Sequence, residues 1–140
     1  MTKNQINSNN YPRSNGSYPN ARKVGNLLFL SGVGPRRPGT NVIPGVMMDG
    51  QGNAIGHDIE VQCHSVFENV RTILEEEGSG WENLIDITVF LTNIRRDFDT
   101  YNIIYGNYFQ KNQPCRTTVE VTSLPTPIAI EIKCIATIDN

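Results

Sequence analysis

The stretch "PCRTTVEVTSLPTPIAIEIKCIA", from Pro114 to Ala136, carries the strongest indication of the fold. Apolar and polar residues alternate in two runs on either side of "LPTP", which is the pattern of two half-buried strands. The prolines predict a hairpin that turns around Pro125 and Thr126. Two charged residues break the pattern, because Arg116 opens the first run and Glu131 lies among the isoleucines of the second. The question is whether they are surface residues or parts of a site.

Arg116 has two interpretations. The strand alternation places Arg116, Thr118 and Glu120 on one face. A guanidinium in that position can hold a carboxylate through two parallel hydrogen bonds, and it never loses its charge. The plainer alternative is a surface arginine paired with Glu120 or an aspartate, since exposed ion pairs are common and contribute little.

Glu131 is the more unusual residue, because a carboxylate inside an Ile-rich strand is rarely buried without a partner. In a partly apolar pocket its pKa rises, and it can then transfer protons near neutral pH. The alternative is a charge that protects an edge strand from aggregation. In the predicted hairpin, Glu131 lies opposite position 120, roughly 13 Å along the sheet from Arg116. A symmetric oligomer would bring the arginine of one protomer to the glutamate of another.

Two segments predict helices. The first begins after Asp58 and ends before Gly78, and its apolar face is formed by Ile59, Cys63, Val66, Phe67, Val70, Ile73 and Leu74. The second begins near Asp97, and its aromatic face is formed by Phe98, Tyr101, Tyr105, Tyr108 and Phe109. The intervening "LIDITVFLTN" is predicted as a strand whose shared face consists of Ile85, Ile87, Val89 and Leu91.

Upstream, "ARKVGNLLFLSGVG" predicts strands around a turn at Gly25 and Asn26, followed by a loop with an edge strand near "NVIPGVMM". The order β-β-α-β-α-β-β predicts an α+β domain, with one mixed sheet and two helices on one face. The other face carries apolar residues and favours self-association. Residues 1–16 are polar and are expected to be flexible, whereas residues 17–140 form the single domain.

The composition excludes several classes of function. The 140 residues are 38% hydrophobic, and their net charge of -2 gives no case for nucleic acid or anionic membranes. No apolar run approaches the ~20 residues that span a bilayer. The polar start lacks a secretory h-region, and the three cysteines include no CxxC motif. A cytoplasmic protein without metal or other cofactor is the expectation.

The chain resembles the RidA/YjgF family of enamine and imine deaminases from about Tyr18 to Ile138. The resemblance is carried by "SYPNARKVGNLLFLSG", "QCHSVFENVRTILEEEGSGWENLIDITVFLTN", "DFDTYNIIYGNYF" and the opening stretch. It implies a chorismate-mutase-like α+β fold and a homotrimer whose three sheets form an internal barrel. The active sites would then lie in clefts between subunits and need no cofactor.

The resemblance also implies roles for individual residues. Arg116 matches the arginine that binds the substrate carboxylate, and Glu131 matches the glutamate that positions or activates water. Further positions that match the walls of the family's pocket are Tyr18, Gly32, Phe90, Asn102 and Thr118.

One region departs from most of the family. The long loop "SGVGPRRPGTNVIPGVMMDGQGNAIGHDIE" looks like that of the 2-aminomuconate deaminase branch. That substrate has two carboxylates, so Arg36 or Arg37 is expected to hold the second one. The alternative is a solvated loop. The expected function is a C–N hydrolase of aromatic catabolism that converts 2-aminomuconate to 4-oxalocrotonate. The alternatives are a broad 2-imino acid deaminase, acting on 2-iminobutanoate or 2-iminopropanoate, and a non-catalytic regulatory trimer.

Overall fold

The structure, a computed structural model, describes residues 5–6 and 17–139. Its elements in chain order are β1 (Gln5–Ile6), β2 (Ala21–Val24), β3 (Leu27–Leu30), β4 (Val46–Met48), β5 (Ala54–His57), α1 (Ile59–Glu76), a 3-10 turn (Trp81–Asn83), β6 (Leu84–Leu91), α2 (Ile94–Tyr108), β7 (Cys115–Glu120) and β8 (Ile130–Thr137). Apart from β1, the segment 1–16 that was expected to be flexible lies outside the described residues.

The predicted α+β architecture is confirmed. Six strands form one sheet in the order β1-β2-β3-β8-β6-β7, and β4 pairs with β5 in a separate two-stranded sheet. The large sheet is mixed, because β6 and β7 are parallel and the other pairs are antiparallel. One face of this sheet packs against the helices through fully buried side chains, which include Leu28, Leu30, Val89, Ile130 and Ile132.

The predicted hairpin between the last two strands is wrong. Strand β6 lies between β7 and β8, and the segment around Pro125 therefore crosses over it instead of making a tight turn. Because α2 connects β6 to β7, β7 can pair with β6 in parallel at the far edge. Alternation within a strand shows which residues share a face, but it does not show which strand is the neighbour.

The first helix is confirmed and the start of the second is corrected. An Asp58 side-chain oxygen accepts the backbone N–H of Val61 at 3.2 Å, and Gly78 follows the helix with a φ of 80°. Helix α2 begins three residues before Asp97, because the Asn93 side chain caps it by accepting the N–H of Arg96 at 3.0 Å. Asn93, two residues after the end of β6, therefore caps α2 in place of the predicted Asp97.

The expected apolar face of β6 is correct except at Ile85. The pairing of β6 with β8 shifts between Leu84 and Asp86, which marks a bulge. As a result Leu84 is buried and Ile85 is 42% exposed, while Ile87 keeps its predicted place in the core. An extra residue in one strand shifts the alternation by one position. Residues before the bulge therefore point to the face opposite to the one that simple alternation predicts.

Within residues 5–6 and 17–139, neither helix is long and apolar enough to cross a membrane. This part of the chain also brings together no group of three metal-ligating side chains. Burial raises the pKa of the Cys63 and Cys134 thiols to about 12. Both thiols therefore remain protonated at neutral pH and act as small apolar groups in the core.

The N-cap of α1 gives a test of the fold. We expect Asp58→Ala to lower the free energy of unfolding by about 1 kcal/mol, because the N–H of Val61 loses its acceptor. Asp58→Asn keeps an acceptor oxygen and should be nearly neutral. Urea unfolding at one fixed protein concentration measures both, and equal effects of the two variants would contradict the assigned cap.

Candidate functional site

Glu131 lies on the face of the sheet that the helices leave uncovered. Its register partner on β6 is Phe90, whose partner on β7 is Val119. The flanking Ile130 and Ile132 point to the opposite, helix-covered face and are at most 1% exposed. Glu131 and Phe90 therefore stand side by side outside the core of this chain.

The carboxylate of Glu131 lies directly against Gly32. A Cβ atom placed on Gly32 would be 2.8 Å from Oε2 of Glu131 and 3.0 Å from its Cδ. The approach is held by Val33, which exchanges backbone hydrogen bonds of 2.7 and 2.9 Å with Ile132. Glycine suits this position because a Cβ at residue 32 would push the Glu131 carboxylate out of its place.

Tyr18 belongs to the same neighbourhood through Ser31. The Ser31 hydroxyl donates to the carbonyl of Pro19 at 2.6 Å, and its N–H donates to the carbonyl of Asn20 at 3.0 Å. These bonds fasten the segment that carries Tyr18 beside Gly32, with Tyr18 itself 48% exposed. Tyr18, Gly32, Phe90 and Glu131 are called the glutamate half-site below.

Burial raises the pKa of Glu131 above its ordinary value of 4.5. The next residue on the same face, Lys133, donates to the carbonyl of Leu30 at 2.9 Å. No salt bridge to Glu131 occurs among the described residues. A carboxylate in this state accepts a proton more readily than an exposed one, which suits a general base.

Arg116 lies on the other face of the sheet, under α2. Its Nη1 donates to Oδ1 of Asn102 at 2.8 Å. Thr118 points the same way, because its hydroxyl is 2.9 Å from that of Tyr101. Glu120 does so too, since its side chain accepts the N–H of Ile94 at the start of α2 at 2.9 Å.

The expected alternation of β7 is therefore confirmed, but the alternative pairing of Arg116 with Glu120 is wrong. Glu120 caps a helix, and within the described chain Arg116 forms no salt bridge. Arg116, Asn102 and Thr118 are called the arginine half-site below.

The two half-sites do not meet within one chain. Arg116 pairs with Ile87, and Glu131 pairs with Phe90, so the two residues are three positions apart along β6 and on its opposite sides. At ~3.3 Å per residue and ~4.8 Å per strand, their Cα atoms are separated by roughly 14 Å. Their side chains also project from opposite faces of the sheet, which increases the separation.

Arg36 and Arg37 point into different depressions. The Nη1 of Arg36 donates to Oδ1 of Asn41 at 3.5 Å. Arg36 also lines a depression of about 440 Å³ together with Thr126 and Pro127. Arg37 lines another, of about 360 Å³, whose wall includes His64, Glu68 and Thr72 of α1. Asn69 holds this loop in place, because its Nδ2 donates to the carbonyls of Gly34 and Arg36, each at 2.9 Å.

Sequence reasoning missed two residues beside Arg116. Its Cζ lies 4.7 Å from the ring centroid of Tyr105 and 5.6 Å from that of Tyr101. Both tyrosines were assigned only to the aromatic packing face of α2. The helical spacing of Tyr101, Asn102 and Tyr105 could have indicated this contact, because it places all three residues on the side of α2 that faces β7.

A mixed sheet with both helices on one face is the architecture of the YjgF and L-PSP structures. The family model described as endoribonuclease L-PSP matches residues 8–138 of the chain. The chain belongs to this family, which also includes the RutC and RidA/YjgF proteins.

Three relatives illustrate the match. A RutC family protein of Pyrococcus abyssi is 35% identical over 136 residues, which are 97% of this chain and 98% of that protein. The chloroplastic Reactive Intermediate Deaminase A of Arabidopsis thaliana is 34% identical over 138 residues, which are 99% of this chain and 67% of that protein. The crystal structure of E. coli TdcF with bound serine has a TM-score of 0.82 at 30% identity, covering 96% of this chain and 98% of that one.

The buried charge of Glu131 predicts a pH-dependent effect on stability. Because the folded-state pKa is raised, the folded protein favours the protonated form. Stability from this group is then greatest below its ordinary pKa and is lost as pH rises through the folded value. We expect Glu131→Gln to be more stable than wild type near pH 7, with a difference that shrinks toward pH 4.

Urea unfolding at several pH values tests this expectation. Glu75→Gln, at an exposed position of α1, is the matched control and should change the free energy of unfolding by less than about 0.5 kcal/mol. A Glu131→Gln protein that is less stable at neutral pH than at acidic pH, relative to wild type, would contradict the assigned burial.

Proposed function

We propose that the protein is a deaminase that hydrolyses an enamine or imine next to a carboxylate, releasing ammonia and a keto acid. The observation that carries the proposal is the presence of two charged groups of opposite sign, each held in a different environment. Glu131 is a half-buried carboxylate with a raised pKa, and Arg116 is a guanidinium without a salt bridge inside the described chain. One suits water activation and the other suits carboxylate binding.

The chemistry follows from these two groups. Arg116 holds the substrate carboxylate and so fixes the adjacent C=N carbon, which lowers the entropic cost of reaction. Glu131 takes a proton from water as the oxygen bonds to that carbon. Glu131 returns this proton to the nitrogen, which gives a carbinolamine. The carboxylate then takes the hydroxyl proton of the carbinolamine and passes it to the same nitrogen as the C=O bond forms, so the C–N bond breaks and ammonia leaves. An enamine substrate first takes a proton on carbon and loses one from nitrogen, and so becomes the imine.

The proposal requires that the site be assembled from two protomers. Arg116 and Glu131 project from opposite faces of one sheet, so one chain supplies each half-site to a different cleft. The uncovered face also carries partly exposed apolar residues, among them Val24 at 54%, Ile85 at 42% and Val119 at 37%. Such a surface favours contact with further copies of the chain, for which we propose a homotrimer.

Relatives of the chain support a deaminase function at the level of the family. One relative bears the name Reactive Intermediate Deaminase A. Another was crystallised with serine, an amino acid whose carboxylate lies beside the carbon that bears nitrogen. The net charge of -2 does not favour a polyanion such as RNA, although the family model carries the name endoribonuclease.

We further propose 2-aminomuconate as the substrate, with Arg36 as the second carboxylate clamp. Arg36 is favoured over Arg37 because its depression includes Thr126 and Pro127, in the segment that leads into β8 and Glu131. Arg37 instead faces α1, in a depression whose lining does not include the segment that leads into β8. A 2-imino acid with one carboxylate, such as 2-iminobutanoate, would need only Arg116.

Mixing two inactive variants tests the function and its assembly together. Arg116→Ala loses the carboxylate anchor, and Glu131→Ala loses the base, so we expect each to reduce kcat/KM by about 100-fold or more. In randomly mixed trimers about a quarter of the sites combine both intact residues, so activity should recover to about a quarter of wild type. The measurement is ammonia release after denaturing and refolding the two proteins together.

Each variant refolded alone is the control for this recovery. Failure of the mixture to exceed the separate variants would contradict a site shared between protomers. Failure of the wild type to exceed spontaneous hydrolysis of both 2-aminomuconate and 2-iminobutanoate would contradict the deaminase function and favour a non-catalytic binding protein.

The choice of substrate is tested by Arg36→Ala, with Arg37→Ala as the adjacent control. For 2-aminomuconate we expect Arg36→Ala to raise KM by about tenfold, because the charge-assisted hydrogen bond to the second carboxylate is lost. For 2-iminobutanoate both variants should match wild type. Equal effects of the two variants on 2-aminomuconate would exclude Arg36 as the specific clamp.

A further inference from the structure

The guanidinium of Arg116 lies on two aromatic rings of α2. Its Cζ is 4.7 Å from the ring centroid of Tyr105 and 5.6 Å from that of Tyr101, and the two ring centroids are 5.9 Å apart. Asn102 takes one corner of the guanidinium through Nη1 at 2.8 Å. Three side chains from successive turns of one helix therefore hold a single cation.

The two rings are themselves fixed. Tyr101 is fully buried, and its hydroxyl lies 2.9 Å from that of Thr118. Tyr105 is 8% exposed, and its ring packs against Phe109 at 4.4 Å and Phe67 at 6.2 Å. Tyr101 cannot swing away from Arg116 without opening the core. Tyr105 borders a depression of about 490 Å³ and is held by its contacts with Phe109 and Phe67.

The rings hold the cation without neutralising it. Burial raises the pKa of Tyr105 to about 12 and also raises the pKa of Tyr101, so both phenols are uncharged at neutral pH. A neutral ring face attracts a guanidinium through its quadrupole and leaves the positive charge available to an anion. Since Asn102 is also uncharged, all the groups that hold Arg116 are neutral.

We propose that Tyr105, supported by Tyr101, is a positioning residue that keeps the Arg116 guanidinium in place for two-point binding of the substrate carboxylate. With Nη1 on Asn102, the edge formed by Nε and Nη2 is directed to the two carboxylate oxygens. A side chain ordered before binding loses less entropy when the ligand arrives, and affinity increases accordingly. The inference rests on the proposed function, because it takes Arg116 as the carboxylate anchor.

The test uses Tyr105→Phe and Tyr105→Leu in the full-length chain. The probe is 2-oxobutanoate, with its uncharged amide as the control ligand, and calorimetry measures the Kd. We expect Tyr105→Leu to weaken 2-oxobutanoate binding about tenfold, and Tyr105→Phe to stay within about threefold of wild type, because the ring and not the hydroxyl holds the cation. With 2-iminobutanoate, KM should rise in parallel while kcat changes less than threefold.

A second pair of variants addresses the support and guards against misfolding of Tyr105→Leu. Tyr101→Phe and Thr118→Val each remove the same hydroxyl contact from opposite sides, so we expect equal increases of about threefold in Kd. Ile103→Ala, which truncates a 68% exposed side chain on α2, is the control and should bind like wild type. Thermal unfolding confirms that each variant is folded.

The outcomes separate this inference from the proposed function. Binding by folded Tyr105→Leu within twofold of wild type would overturn the positioning role, whatever the activity, and so would equal losses in Tyr105→Phe and Tyr105→Leu. Absence of 2-oxobutanoate binding by wild type would also overturn it. Weakened binding in Tyr105→Leu together with no turnover by wild type would support the positioning role and contradict the deaminase function.

Discussion

The position of β8, between β3 and β6, sets the surroundings of both charged residues. This position lies near the middle of the sheet, where Ile130 and Ile132 are buried under the helices and Glu131 must point the other way. It also moves β7 to the edge, parallel to β6, where Arg116 comes under α2. One choice of strand order thus separates the two charges by a sheet and gives each a different neighbourhood.

The surroundings of each charged residue determine how it can act: burial changes the pKa of Glu131, and neutral groups orient Arg116. Glu131 lies against the backbone of Gly32 in a half-buried position, and burial raises its pKa. Arg116 rests on neutral rings and an amide, which orient the guanidinium and leave its charge intact. A base that binds protons readily and a cation that is not neutralised are complementary parts, and an oligomer can combine them where a single chain does not.

Much of the candidate site was predictable from local pattern, and its limits have physical causes. Glu131 was conspicuous because burying a carboxylate among isoleucines costs free energy unless the carboxylate has a partner. The alternation of β7 correctly placed Arg116, Thr118 and Glu120 on one face. The predicted pairing of Arg116 with Glu120 was wrong because the Glu120 carboxylate accepts the backbone N–H of Ile94 at the start of α2. This hydrogen bond forms only when α2 packs against β7. The exposure of Ile85 was hidden for a similar reason, since a bulge is a property of two paired strands.

From the amino-acid pattern alone we predict the two helices, the strands of the main sheet from β2 onward, the buried face of α1, the α+β class and the two residues with unusual charge. These follow from periodicity, capping and composition, which act over a few neighbouring residues. Four features emerge only in the folded chain: the strand order, the separate depressions lined by Arg36 and Arg37, the contact of Gly32 with Glu131, and the tyrosine rings beside Arg116. The reason is that these features join residues far apart in the chain, and packing of the whole sheet and helices selects among pairings that local alternation leaves equivalent.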